Sequence, residues 1–212
     1  MIILFFLSHN IIVVFLIKEI YLISFQQKTR YNINVHFVIS EPLITYCISL
    51  SKRINSVISS LFNYKSNCIA SPFISSLFMG IIDSQEKLEN VFRVTKELSQ
   101  KLNPFVLAPT NLYYKRKCGK VIIDTLQNDF LAKQKDYLFS NLTAYVSNLD
   151  VRNEHPYIAV ASCRLLSGKG KELVNNYSYP PSCMISQIAV SKADKNGTNL
   201  EIMKTFNLQQ DN

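Results

Sequence analysis

From residue 31 onward, β-like and helix-like hydrophobic patterns take turns along the chain. "YNINVHFVIS" (31–40) is β-rich and bounded by Glu41-Pro42, which predicts a strand. "PLITYCISLSKRINSVISSLF" (42–62) then places Leu43, Cys47, Leu50, Ile54, Val57 and Leu61 at helical spacing. The polar loop "NYKSN" leads into "CIASPFISSLFMGII" (68–82), a second strand. Asp83-Ser84 offers an N-cap, with Glu86 and Glu89 in the first turns of a helix over 84–102. Leu88, Val91, Phe92, Thr95 and Leu98 form its apolar stripe, and Asn103-Pro104 stops it.

The second half repeats the theme. "FVLAPTNLYY" (105–114) and "KVIIDTLQ" (120–127) predict strands joined by a basic turn that holds Gly119. Residues 128–149 predict a helix with Phe130, Leu131, Leu138, Leu142 and Val146 inward. "PYIAVAS" (156–162) predicts a strand, and "GKGKELVNNY" (168–177) a short helix or loop. "CMISQIAVSKA" (183–193) and "TNLEIMKTFNL" (198–208) predict a hairpin turned at Asn196-Gly197. The order is βαβαββαβ(α)ββ. Residues 31–102 and 105–165 each place a strand with a proline–aromatic–isoleucine start beside a helix. That weak duplication predicts an α+β domain over 31–208, with two pseudo-two-fold lobes of antiparallel sheet and flanking helices.

Residues 1–30 stand apart. "MIILFFLSHNIIVVFLIKEIYLISF" is apolar, but Ser8, His9, Asn10, Lys18 and Glu19 interrupt it. Its longest clean run, "IIVVFLI", is shorter than the roughly 20 residues that span a bilayer. No Lys or Arg precedes that run as a secretory signal requires, and Lys28 and Arg30 follow it. Three readings stay open: a signal or anchor segment, a leader included by a mistaken start site, and a buried first helix. The first would associate residues 1–25 with a membrane or export the chain; otherwise the expected location is cytoplasmic. Sequons at Asn141, Asn176 and Asn196 are about as many as chance supplies and do not settle the compartment.

Composition narrows the class. Apolar residues make up 48% and charged residues 18% of the 212, a balance that fits a globular core rather than disorder. A net charge of +8 favours polyanions such as nucleotides or RNA; the same 23 basic residues, spread evenly, would give solubility and no more. Cys47, Cys68, Cys118, Cys163 and Cys183 are irregularly spaced with no CxxC, so no metal site is expected, and an odd count argues against a complete disulfide framework. Buried thiols are the expectation. "GKGKE" (168–172) lacks the spacing of a P-loop, and no G-x-S-x-G nucleophile elbow occurs.

Two stretches, "SPFISSLFMGIID" (71–83) and "HPYIAVASC" (155–163), lie 84 residues apart and look like copies of one strand motif. In this the chain resembles the two-histidine (2H) phosphoesterases, the superfamily of 2′-5′ RNA ligase-like proteins and cyclic nucleotide phosphodiesterases. That family carries two His-x-Thr/Ser-hydrophobic strands, often preceded by proline. The opening strand and helix and the closing hairpin resemble the family's as well, so the resemblance covers residues 31–208. It implies a two-lobed fold around a central cleft, no cofactor and no metal. A monomer is expected, with nucleotide or RNA as partner.

The departure from the motif is specific. Registered on Pro72, the first histidine position holds Phe73 and the hydroxyl position Ser75. Registered on Pro156, the second pair is Tyr157 and Ala159. Aligning the first copy on "LFMG" instead puts Ile74 at the histidine position.

Residues i and i+2 of a strand share a face, so two His-x-Thr strands surround a phosphate. One imidazole acts as base and the other, protonated, donates to the leaving oxygen. Phe73 can do neither, and Tyr157, with an ordinary pKa of about 10, is a poor base near neutrality. The resemblance therefore implies a catalytically inactive 2H-like domain.

His155, two residues before Tyr157, shares its face in a regular strand and is the candidate for a relocated catalytic group, with Ser75 as surviving hydroxyl. That is the alternative, an active phosphodiesterase or ligase-like enzyme. His36 in "NVHFVI" is a further histidine to consider, alone or paired with His155. Phe73 and Tyr157 otherwise fill the core or narrow the cleft and offer a stacking surface, with Lys115, Arg116, Lys117 and Lys120 at one rim attracting phosphates. A second alternative is a membrane-associated interaction protein unrelated to the family. It separates from the others on whether the two motif strands lie side by side.

Overall fold

The computed structural model describes residues 30–58, 72, 74, 77–147, 157–163, 165–194 and 198–209. The leader, Cys68, Phe73, Ser75, His155, Pro156 and the Asn196-Gly197 turn lie outside the described residues.

Thirteen elements are described. β1 (Tyr31–Phe37) is followed by α1 (Leu43–Val57), β2 (Phe78–Ile82) and α2 (Gln85–Ser99). Next come β3 (Phe105–Leu107), β4 (Pro109–Lys115), β5 (Lys120–Thr125) and α3 (Asn128–Leu142). β6 (Tyr157–Ser162), α4 (Gly168–Asn175), β7 (Cys183–Ile185), β8 (Gln187–Ala193) and β9 (Asn199–Asn207) complete the chain. Local chemistry sets the helix starts. Ser84 Oγ accepts from the Lys87 amide at 3.3 Å, and Ser167 Oγ accepts from the Gly170 amide at 3.2 Å, each satisfying an orphan donor of a first turn.

The strands form a four-stranded antiparallel sheet ordered β2-β1-β8-β9, a three-stranded one ordered β4-β5-β6, and a β3-β7 ribbon. Ile33, Val35 and Phe37 of β1 pair with residues of β8 and are fully buried on the side where Phe206 of β9 meets Phe92 of α2. α2 and α3 pack together over the four-stranded sheet, while α1 and α4 pack on the three-stranded one. The helices are thus exchanged: α1 follows a strand of the first sheet and covers the second, and α3 follows a strand of the second and covers the first. This exchange expresses the internal duplication. No helix among the described residues is long and apolar enough to cross a membrane.

Three elements differ from the sequence reading. The strand expected at 105–114 is two strands in different sheets. Pro109 has no amide hydrogen to offer a ladder. The backbone of Ala108 is taken by the far end of the hairpin, its N–H by Gln127 Oε1 at 3.1 Å and its carbonyl by the Leu126 amide at 3.0 Å. The strand expected at 183–193 likewise breaks at Ser186, whose carbonyl accepts from the Leu208 amide at 2.8 Å. The helix expected over 128–149 ends at Leu142. Its carbonyl takes the amides of Tyr145 and Val146, and Ser147 leaves to pair with Ile81. Residues 148–149 of that helix, 59–62 of the first helix and 68–71 of the second strand lie outside the described residues.

Candidate functional site

Ile74 and Ile158 form an antiparallel bridge, and both side chains are fully buried. Ile74 therefore lies against β6, and Leu77, whose amide donates to the Val35 carbonyl at 2.9 Å, lies beside β1. The two motif segments are neighbours, as a shared cleft requires. Since Ile74 meets Ile158 in the core, it matches the residue after Tyr157 and not Tyr157 itself. The alignment that puts Ile74 at the histidine position would set a core side chain there, while Phe73, which the alignment on Pro72 puts there, lies outside the described residues.

Alternation sorts the three-stranded sheet. Ile123 pairs with Ile158 and Leu112 with Ile123, on the face covered by α1 and α4. The opposite face carries Tyr113 and Lys115 of β4, Lys120, Ile122 and Asp124 of β5, and Tyr157 and Ala159 of β6.

Tyr157 is only 5% exposed. Lys120 Nζ donates to its hydroxyl at 3.2 Å. The Lys120 and Lys115 ammoniums stand 5.6 and 5.3 Å from its ring centroid, within cation–π range. The two lysines are direct cross-strand partners, closed by a turn in which Gly119 holds φ at 63°. Arg116 and Lys117 sit exposed in that turn, while Lys115 and Lys120 at its base are half-buried against Tyr157. Of the four basic rim residues expected from sequence, two reach the motif position and two face solvent. Tyr113 hydrogen-bonds Asp124, and its phenol is pushed up to about 12, first by burial and then by that carboxylate.

His36 has a different fate. It lies on the face of the four-stranded sheet turned away from α2 and is 1% exposed. Its Nδ1 lies 3.2 Å from the Phe37 carbonyl, which can only accept, so Nδ1 carries the proton. Nε2 then accepts from Ser191 Oγ and Asn199 Nδ2, each at 2.9 Å. Asn34 Nδ2 donates to Asn199 Oδ1 at 2.7 Å, extending the network across β1, β8 and β9. Burial lowers the His36 pKa to about 4, opposed by the Phe37 carbonyl. The ring is therefore neutral at physiological pH, with its lone pair engaged by two protein donors. It is a structural histidine that ties three strands together, and not a group poised to exchange protons with a ligand.

Sequence reasoning missed Asn34, Ser191 and Asn199 as partners of His36, and Asp124 as partner of Tyr113. A signal for the first was present, since Asn32, Asn34 and His36 alternate with apolar residues in "YNINVHF". Cys47, Cys163 and Cys183 are buried thiols and Cys118 a half-buried one, with burial raising the first three. Among the described residues no cluster of His, Cys, Asp or Glu could hold a metal ion.

No protein-family sequence profile and no curated protein matches the chain. Solved structures do. Escherichia coli LigT in complex with 3′-AMP superposes with a TM-score of 0.58 at 13% identity, over 85% of this chain and 99% of LigT. The fold is that of LigT. TT0787 of Thermus thermophilus matches with a TM-score of 0.59 at 10% identity, over 85% of this chain and all of that one. A structure described as a phosphoesterase gives 0.56 at 11% identity, over 85% and 99%. The chain therefore shares the fold of these structures, α+β with antiparallel sheets, the fold class expected from the sequence.

Proposed function

We propose that this chain is a LigT-like domain that binds nucleotide phosphate and does not hydrolyse cyclic phosphodiesters by the two-histidine route. The observation that carries the reading is Tyr157, read from the motif spacing as the second histidine position, held beside Lys115 and Lys120. A phenol there is a poor base near neutrality. Two ammoniums, in contrast, supply charge-assisted hydrogen bonds to phosphate oxygens without any acid–base function. LigT itself has been solved with 3′-AMP, with ATP, with NADP+ and with phosphate, which makes a nucleotide the ligand class to test first.

Calorimetric titration of the full chain with 3′-AMP tests the binding. Saturable binding is expected, weakened at least about tenfold in the Lys115→Ala/Lys120→Ala double variant, because each charge-assisted contact contributes about 1.5–3 kcal/mol. Binding that the double variant leaves unchanged overturns the assignment of the site. Turnover of 2′,3′-cyclic AMP that disappears in His155→Ala overturns the inactive reading in favour of a relocated histidine.

A further inference from the structure

Lys115 and Lys120 face each other directly across the β4–β5 ladder, a position where like charges destabilise a sheet. Both ammoniums converge on one ring, and one of them also holds that ring's hydroxyl. Three groups that can donate to oxygen, two ammoniums and a phenol, are therefore gathered at Tyr157. An imidazole pair that shares one proton would place a single positive charge there and keep a base beside it. Here two ammoniums and a phenol stand together, and the one carboxylate described on this face, Asp124, is hydrogen-bonded by Tyr113.

The ligands of such a site divide by charge. A 2′,3′-cyclic phosphodiester carries one negative charge and two non-bridging oxygens. A terminal phosphomonoester carries about −1.5 to −2 at pH 7, with a second pKa near 6, and offers three oxygens. Resting on the nucleotide-binding reading, we infer that the Lys115–Tyr157–Lys120 cluster selects a terminal phosphomonoester over a cyclic phosphodiester. The ligand is then a phosphorylated end, on a free nucleotide or on an RNA, and not the cyclic diester itself.

The same face carries other titratable groups. Asp124 of β5 pairs with Tyr157 of β6, Tyr113 of β4 hydrogen-bonds Asp124, and Arg116 and Lys117 stand in the turn above. Asp124 is the one carboxylate among these, so Asp124→Asn is the control for a pH effect that belongs to the protein.

The test is calorimetric titration of the full chain with 3′-AMP and with 2′,3′-cyclic AMP between pH 5 and pH 8. At pH 7.5, 3′-AMP is expected to bind about tenfold more tightly, and to lose about that factor by pH 5 as its phosphate takes up a proton near pH 6. Cyclic AMP, whose charge is constant, is expected to show no such slope. Lys120→Gln should abolish the preference and Lys120→Arg should restore it, while Asp124→Asn leaves the slope in place. A 3′-phosphorylated oligoribonucleotide run beside 3′-AMP separates an RNA end from a free nucleotide, and tight binding of either supports the inference. Equal affinity for monoester and cyclic diester, or a slope that vanishes in Asp124→Asn, overturns the inference and leaves nucleotide binding standing. Binding of none of these ligands overturns both.

Discussion

His36 and Tyr157 show how position decides what one side chain can do. His36 is an ordinary imidazole enclosed by protein donors, and its folded pKa of about 4 lies below the unperturbed value of about 6.5. The unfolded chain therefore binds a proton there before the folded chain does. The stability this represents is complete above about pH 6.5 and is lost as pH falls toward about 4, amounting to about 3 kcal/mol at the acid end. Urea denaturation of the full chain at pH 7, 5.5 and 4.5 should show this loss, and His36→Gln should show a flatter dependence over the same window. Parallel pH curves for the two proteins would contradict the assignment.

Tyr157→Phe keeps the ring under the lysines and removes the hydroxyl that Lys120 holds. Affinity for 3′-AMP is expected to fall about tenfold in calorimetry, since a hydrogen bond to a charged group contributes about 1.5–3 kcal/mol. An unchanged affinity would place the phosphate elsewhere.

At this scale the sequence was legible where a residue stood in a motif and opaque where its partner was distant. The strand that begins at Tyr157 and the basic turn of "YYKRKCGK" could be read from the sequence. The enclosure of His36 by Ser191 and Asn199 could not, because those residues lie more than 150 positions away.

Among elements, Ile74 bridges to β6 while Leu77 and β2 lie beside β1, and the packing at these positions allows little change. A Cβ on Gly80 would meet Val146 Cγ1 at 1.9 Å, so Gly80→Ala forces a rearrangement between β2 and the end of α3. It is expected to destabilise the fold by about 1–3 kcal/mol, the usual cost of overpacking. Val146→Ala in the same chain should recover part of the loss, which thermal or urea denaturation would show; a double variant no more stable than Gly80→Ala would put the strain elsewhere. Ile74→Ala opens a cavity opposite Ile158 and should cost about 2–5 kcal/mol by the same measurement.

Helices were legible because their apolar stripes, and for α2 the Ser84 cap, act locally. The breaks at Ala108-Pro109 and Ser186 were not, because long-range hydrogen bonds from Gln127, Leu126 and Leu208 decide them.

On the scale of the whole molecule, the internal repeat and the element order were enough to anticipate the LigT-like fold, although identity to the solved structures is only 10–13%. Fold survives such divergence because a hydrophobic pattern with the right period can be met by many sequences. Catalysis tolerates less change, because acid–base chemistry needs particular groups at particular atoms. In this chain Ile74 lies against Ile158, and the neighbouring Tyr157 is held beside Lys115 and Lys120.

The central claim, a cleft that holds phosphate without turning over the cyclic diester, is tested most directly by ³¹P NMR of 2′,3′-cyclic AMP incubated with an equimolar amount of the full chain. The account predicts that the cyclic phosphate resonance persists and that no monoester resonance grows beyond the rate in buffer. Appearance of a 2′- or 3′-monoester resonance with the native chain, and its loss with His155→Ala, would contradict the account and identify a working enzyme with a relocated histidine.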